Sequence, residues 1–239
     1  MALEVLLFRS LFRNTRAELW DGPKITYASA KWLWLFGIVF HYSFLIILVR
    51  HLRFFFEPIP SFVELLSSID GFFQILIPAI FISDLMLLLG ATYLFLRRVA
   101  IPQLRYISLP ADYFPLFLIL GIAISGVLMR QIWKVDLLAV KELALGLFSF
   151  HPHLPQAGIG TIFYVHLFLV SVLAAYIPFS KIMHLGGVFL SPTRNMANNN
   201  RMERYVNPWN YPVKVHTYEE YEDDFRAKMK EAGIPVEKE

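Results

Sequence analysis

The chain has 239 residues, of which 56% are hydrophobic, 16% aromatic and only 17% charged, with a mean hydropathy of +0.51. Several apolar runs come close to the ~20 residues that cross a bilayer, so the composition is that of a polytopic membrane protein and argues against a soluble enzyme. There is no cysteine, which excludes disulfides, thiolate-bound zinc and cysteinyl iron–sulfur clusters held by this chain alone. The net charge of +3 lies mainly at the ends of apolar runs. That pattern orients a membrane protein and offers no basic patch to nucleic acid.

Residues 1–30 read as an amphipathic N-terminal segment: an interfacial helix, interrupted at Arg9, then a polar turn with Asp21, Gly22 and Pro23 as breakers. No small-residue cleavage site follows, so the segment does not read as a signal peptide. The first span is predicted over 32–55, with Trp32 and Trp34 at belt positions, His41 near its middle and His51 toward its far end. Pro58 and Pro60 stop it, and the amphipathic link SFVELLSSID follows. The second span is placed at about 72–96, closing on Arg97 and Arg98 with Asp84 inside it, and the third at about 113–133. LLAVKELALGLFSF is too short and too charged to span and is assigned to the interface. The fourth span, 161–190, carries His166 and His184. From Ser191 the composition turns polar, with a helix-like stretch around 218–232.

The fold class expected is therefore all-α: a membrane helical bundle of about four transmembrane helices with interfacial helices and a polar C-terminal tail. Its divisions are 1–30, a transmembrane domain over 31–192, and a tail over 193–239. Four spans place both termini on one side. Arg9, Arg13, Arg16, Lys24, Lys31, Arg97, Arg98, Arg105, Lys181, Arg194, Arg201 and Arg204 outnumber Arg50, Arg53, Arg130, Lys134 and Lys141, making that side cytoplasmic.

Imidazole buried in lipid is costly and asks for a partner. Eighteen residues separate His166 from His184, about five turns of a continuous helix, so both rings would leave one face. Spans one and four are antiparallel under this topology. His51 then faces His166 toward the outside, and His41 faces His184 toward the inside. Bis-histidine pairs stacked across a bilayer are what two b-type haems require. The rises are unequal, ~15 Å from His41 to His51 against ~27 Å from His166 to His184, so a bend at Pro178 would have to absorb the difference. A proton-coupled carrier using Asp84 is the rival reading, and single membrane histidines also serve as packing residues. Zinc is weaker for want of nearby carboxylate or thiolate ligands. His151 and His153, in a Pro-rich loop, and His216, in the tail, read as exposed residues.

Three segments, VFHYSFLIILVRHLRFFFEP, LFLRRVAIPQLRYISLPADYFPLFLILGIAISGVLMR and IFYVHLFLVSVLAAYIPFSKIMHLGGVFLSP, resemble the gamma (cytochrome b) subunit family of respiratory nitrate reductases. The histidine spacings of ten and eighteen, the RR…P…R loop and the IPFSK run before His184 carry the likeness. The resemblance implies that His41, His184, His51 and His166 ligate the irons of two haems b in the crossed pairing above. The family's first helix is missing here, and its quinol-binding lysine has no counterpart; Asp70 and Gly71 stand near that place. The tail resembles the branch found in the Dsr membrane complexes associated with sulfite reduction. That branch implies electron exchange between menaquinone and a cytoplasmic iron–sulfur subunit resembling heterodisulfide reductase, with further membrane and cytochrome c subunits. A nitrate reductase-type complex is the alternative within the family. Arg50, Arg53 and Asp70 are the quinone-site candidates because they bring charge to the outer rim beside His51. Each also reads as an ordinary interfacial charge. Arg97, Arg98 and Arg105 read first as topogenic charges and second as partners for haem propionates. Asp112 reads as the cap of span three.

Overall fold

The computed structural model describes residues 2–20, 24–72, 80–191, 212 and 214–238; for 16–20, 24, 25 and 72 the backbone alone is described. The chain divides into two compact units, Met1–Asn195 and Met196–Glu239. The first unit is a helical bundle built from α3 (Lys31–His51), α5 (Ile82–Ala100), α7 (Pro110–Gln131) and α9 (Thr161–Tyr176). Each packs on the next in chain order, α3 on α5, α5 on α7 and α7 on α9. The protein is an all-α membrane helical protein, to which a small β-hairpin is added at the N-terminal end.

Among the described residues three helical stretches are long and apolar enough to cross a membrane: Lys31–Phe54, Pro110–Gln131 and Thr161–Phe179. Their outward faces are apolar, with Leu45 and Leu48 on α3, Phe117 on α7 and Phe168 on α9 all more than half exposed. Lipid, not water, suits such faces. Inside, Leu87, Leu118, Ile119 and Leu173 form a buried core flanked by Phe40, Phe44 and Leu169.

The second span departs from its expected bounds. The apolar run begins near residue 72, yet α4 (Ser61–Phe72) still occupies that position and α5 starts only at Ile82; residues 73–79 lie outside the described residues. The late start has a visible cause. Asp70 Oδ1, on α4, accepts the Ser83 N–H at 3.0 Å, so a carboxylate from another helix satisfies an orphan donor at the N-terminus of α5, where the helix dipole favours negative charge.

Where α3 and α5 cross, a Cβ added to Gly90 would lie 3.1–3.2 Å from the Cα and N of Phe40. Backbone at that distance cannot step aside as a side-chain tip can. Gly90→Val is therefore expected to force α3 and α5 apart at a cost of about 1–3 kcal/mol. It would show as a lowered unfolding midpoint of the purified chain, and an unchanged midpoint would contradict the close crossing.

The fourth apolar stretch is not one continuous helix. α9 ends at Tyr176; 3₁₀ turns cover Ile177–Phe179 and Lys181–Met183, with Ser180 extended between them (φ −121°, ψ 168°), and α10 (His184–Leu190) follows. Pro178 lacks the N–H that would continue the ladder. Ser180 fixes the break, donating its hydroxyl to the Ile177 carbonyl at 2.9 Å and accepting the Ile182 N–H at 3.2 Å. The expectation that five straight turns put His166 and His184 on one face is thus corrected.

The N-terminal segment also differs from one interfacial helix. α1 (Ala2–Leu7) and α2 (Arg9–Arg13) meet at Phe8, whose φ of 49° lies in the left-handed region. Antiparallel strands β1 (Thr15–Trp20) and β2 (Lys24–Ser29) follow, pairing Thr15 with Ser29 and Trp20 with Lys24. The turn residues Asp21, Gly22 and Pro23 lie outside the described residues. The segment packs on α3: Trp34 Nε1 donates to the Leu7 carbonyl at 2.7 Å and the Tyr42 hydroxyl to the Leu6 carbonyl at 2.9 Å.

Two shorter helices complete the first unit, α6 (Pro102–Ile107) and α8 (Leu137–Phe148), the latter capped by Asp136 through the Leu138 N–H. Arg194, Arg201 and Arg204 lie outside the described residues. In the second unit α11 (Tyr218–Glu231) opens on a capping box between Thr217 and Glu220. The buried Glu222 accepts the backbone N–H groups of Lys238 and Glu237, which hold its carboxyl below the ordinary range and fold the C-terminal residues back on the helix.

Candidate functional site: two histidine pairs and a buried charge cluster

α3 supplies His41 and His51, ten residues or ~15 Å apart along the axis. The His51 and His166 ring centroids are 6.4 Å apart with the planes 13° from parallel. The His41 and His184 centroids are 5.9 Å apart with the planes at 84°. A straight helix would have carried His184 ~12 Å past His41. The break over 177–183 brings the ring back, and Pro178 sits in it.

Each imidazole is anchored through Nδ1. His41 reaches the Gly37 carbonyl at 2.7 Å, His51 the Ile47 carbonyl at 2.7 Å and His184 the Lys181 carbonyl at 2.9 Å. A carbonyl only accepts, so the proton is on Nδ1 in all three. His166 Nδ1 instead meets Ser125 Oγ on α7 at 2.9 Å. That hydroxyl also reaches the Ile122 carbonyl at 2.9 Å, and with its one proton placed there Nδ1 is the donor here too. All four rings are thereby left with Nε2 as the lone-pair nitrogen. This is the tautomer a metal-ligating histidine with a satisfied outer shell requires.

The spacing fits a metal between the rings. A metal–nitrogen bond of about 2 Å on each side, with roughly 1 Å more from each nitrogen to its ring centre, puts the centroids about 6 Å apart. Among the described residues no three metal-ligating side chains come together. Each pair would therefore supply two ligands to an ion whose other ligands come from elsewhere, as a porphyrin provides them. The donor set fits haem and does not complete a tetrahedral zinc site.

Around the His41 pair, the rings of Phe8 and Phe40 each stand edge-on at 5.1 Å. The N-terminal segment thus covers a site residue. Nearby, Lys181 Nζ donates to Asp112 Oδ1 at 2.6 Å, tying the turn before His184 to the start of α7. Asp112 caps α7 from its third position, its carboxylate accepting the N–H of Leu109, the N-cap residue, at 3.0 Å. Arg98 donates to Ser108 Oγ at 3.0 Å and lies 4.0 Å from Asp112.

The other end of α3 carries buried charge. Arg50 Nη1 donates to Asp70 Oδ2 at 2.6 Å and to Ser83 Oγ at 3.0 Å, and lies 3.5 Å from Asp84. Ser83 in turn donates to Asp70 at 2.6 Å. The Arg50 and Arg130 guanidinium carbons stand 3.6 and 3.5 Å from the centroid of Phe81. Two guanidinium groups cannot share one face at that range, so the ring is held between them. Arg50 Nε is buried without an acceptor among the described residues. Arg53, the third quinone-site candidate, sits in the 3₁₀ turn Leu52–Phe54 and makes no ion pair among the described residues. His153 pairs with Glu142 at 3.1 Å, and His216 lies 3.6 Å from Glu220, both exposed.

Ser125, Ser83 and Phe81 were not singled out from the sequence, and Arg130 was read there only as an outer-side charge. Ser125 carried a signal: a hydroxyl in an apolar span asks for a partner. Nothing in the spacing said that the partner is His166.

Apolar helices packed in chain order, with one histidine pair joining α3 to α9 and the other joining α3 to α10, define a helical membrane protein. The chain belongs to the nitrate reductase gamma subunit family, whose model matches residues 1–203. It is 51% identical over 212 residues to a protein of Archaeoglobus fulgidus named Hdr-like menaquinol oxidoreductase cytochrome b-like subunit, covering 87% of this chain and 63% of that protein. To the protein of the same name from Archaeoglobus profundus it is 46% identical over 208 residues, covering 86% of this chain and 61% of the relative. The chain thus spans less than two thirds of these relatives' length. No solved structure matches it.

Proposed function

We propose that the chain is the dihaem cytochrome b subunit of a membrane oxidoreductase. In this reading it carries electrons between menaquinol, near His51 and His166, and a cytoplasmic iron–sulfur subunit resembling heterodisulfide reductase, near His41 and His184. The observation that carries it is the presence of two histidine pairs at 5.9 and 6.4 Å, every Nδ1 engaged and every Nε2 free to ligate. When bound, the haems supply one-electron chemistry along the bundle. His41, His184, His51 and His166 would hold the haems, and the apolar helices around them would exclude water. The relatives' names, as subunits of an Hdr-like menaquinol oxidoreductase, support a reaction with menaquinol and a place beside other subunits.

Beside the outer pair, Arg50 is the group to bind a quinone. Its Nε is a buried donor lacking an acceptor among the described residues, and a quinone carbonyl oxygen supplies one. Asp70 holds Arg50 in place, and Arg53 lies one turn further out as a polar rim. Four spans, both termini on the cytoplasmic side, a tail over 193–239 that docks the cytoplasmic subunit, and a place in sulfur metabolism with additional membrane and cytochrome c subunits complete the proposal. Asp84, the residue a proton-coupled carrier would need, is held 3.5 Å from Arg50, which favours electron transfer over that alternative.

The test is a pyridine haemochrome assay on the purified full chain, followed by anaerobic addition of a reduced menaquinone analogue. About two haems per chain, reduced by the quinol, are expected. A ratio near zero would overturn the reading.

A further inference from the structure

Three of the four site histidines are anchored to carbonyls of their own helical segment, within four residues in sequence. His166 differs. Its Nδ1 partner is a hydroxyl on another helix, forty-one residues away. Ser125 is 4% exposed, and with its proton placed on the Ile122 carbonyl at 2.9 Å its oxygen accepts from His166 Nδ1. The His166 ring also rests on the flat backbone at Gly126, where an added Cβ would come 3.5 Å from its Cε1. Position and plane of this ring are therefore set by α7, whereas α9 only delivers it. The outcome is the near-parallel pair at 13°, against the crossed pair at 84°.

We propose that Ser125 is a positioning residue for the outer centre: it fixes the plane and tautomer of His166 and so makes the outer haem electronically distinct from the inner one. The inference rests on the dihaem reading. A hydrogen bond accepted from Nδ1–H makes the imidazole a stronger donor to iron through Nε2 and favours the ferric state. Removing the acceptor weakens that donation and favours the ferrous state. Parallel axial imidazoles give oxidised haem a rhombic low-spin electron paramagnetic resonance spectrum, and crossed ones give a strongly anisotropic spectrum. The wild-type chain is expected to show one of each.

The experiment measures haem per chain, the low-temperature spectrum and the redox titration of the full chain with Ser125→Ala and Ser125→Thr. In Ser125→Ala the rhombic component alone is expected to shift, and one midpoint to rise while the other stays. Ser125→Thr, which keeps the hydroxyl, is expected to restore both. If Ser125→Ala does not accumulate, Ser125→Cys, a near-isosteric weaker acceptor, is expected to move the same component less far. The proposal is overturned if Ser125→Ala leaves both components and both midpoints unchanged at full haem content, or if the anisotropic component is the one that moves. A wild-type chain without haem would overturn the dihaem reading itself, and the stoichiometry reports that before any variant is compared.

Discussion

Replacing His166 by alanine is expected to lower the haem content of the purified chain from about two to about one, with the remaining centre retaining the spectrum of the crossed pair. The reason is geometric. His51 and His166 face each other at 6.4 Å, and among the described residues each is the other's only imidazole neighbour at that range, so loss of one would leave a single imidazole to hold that haem. The inner pair hangs on different supports: the Gly37 carbonyl for His41, and the Lys181 carbonyl, itself anchored through Asp112, for His184. His41→Ala should therefore remove the other haem and leave the rhombic spectrum. Loss of both haems from either single variant would show that the pairs are not independent. Retention of both would show that the histidines do not ligate.

The largest effect on stability is expected at Asp70. It is 4% exposed, accepts from Arg50 at 2.6 Å and from the Ser83 hydroxyl at 2.6 Å, and caps α5 through the Ser83 N–H at 3.0 Å. Asp70→Leu strands a buried guanidinium, which costs about 3–5 kcal/mol. Asp84, 3.5 Å from Arg50, takes over part of the pairing and favours the lower end of that range. Removing both charges in Arg50→Leu/Asp70→Leu should recover most of the loss, because a buried pair replaced by apolar groups is close to neutral. What stays lost is the cap, about 1 kcal/mol. Unfolding midpoints of the four chains in one detergent form the double-mutant cycle. If the double variant is no more stable than Asp70→Leu, within about 0.5 kcal/mol, the ion pair is not the source of the effect.

Much was legible in the sequence because lipid imposes simple rules. The bounds of the first and third spans follow from the length of the apolar run, and Asp112 as the cap of α7 follows from its place behind Pro110. The histidines and their opposite neighbours follow from spacing and antiparallel order. Three things did not follow. The start of α5 is set by Asp70, a carboxylate on a different helix, and no local pattern over 72–82 encodes that contact. The N-terminal thirty residues pattern as one amphipathic piece, yet Phe8 breaks the helix at a positive φ and the Leu6 and Leu7 carbonyls are fastened by Tyr42 and Trp34 of α3. The straight path from His166 to His184 was the third, and there the sequence held only half of the answer. Pro178 announces a bend, but its direction and depth are decided by Ser180 and by the Lys181–Asp112 pair.

By itself, then, the sequence determined the class of the protein, the identity of its four paired imidazoles and which should meet which, because hydropathy and helical rise act along the chain. Only the tertiary structure decided how those imidazoles are held. The 13° and 84° ring planes, the Ser125 anchor and the two guanidinium groups about Phe81 join residues distant in sequence, and hydrogen bonding across helices has no period that a linear pattern records.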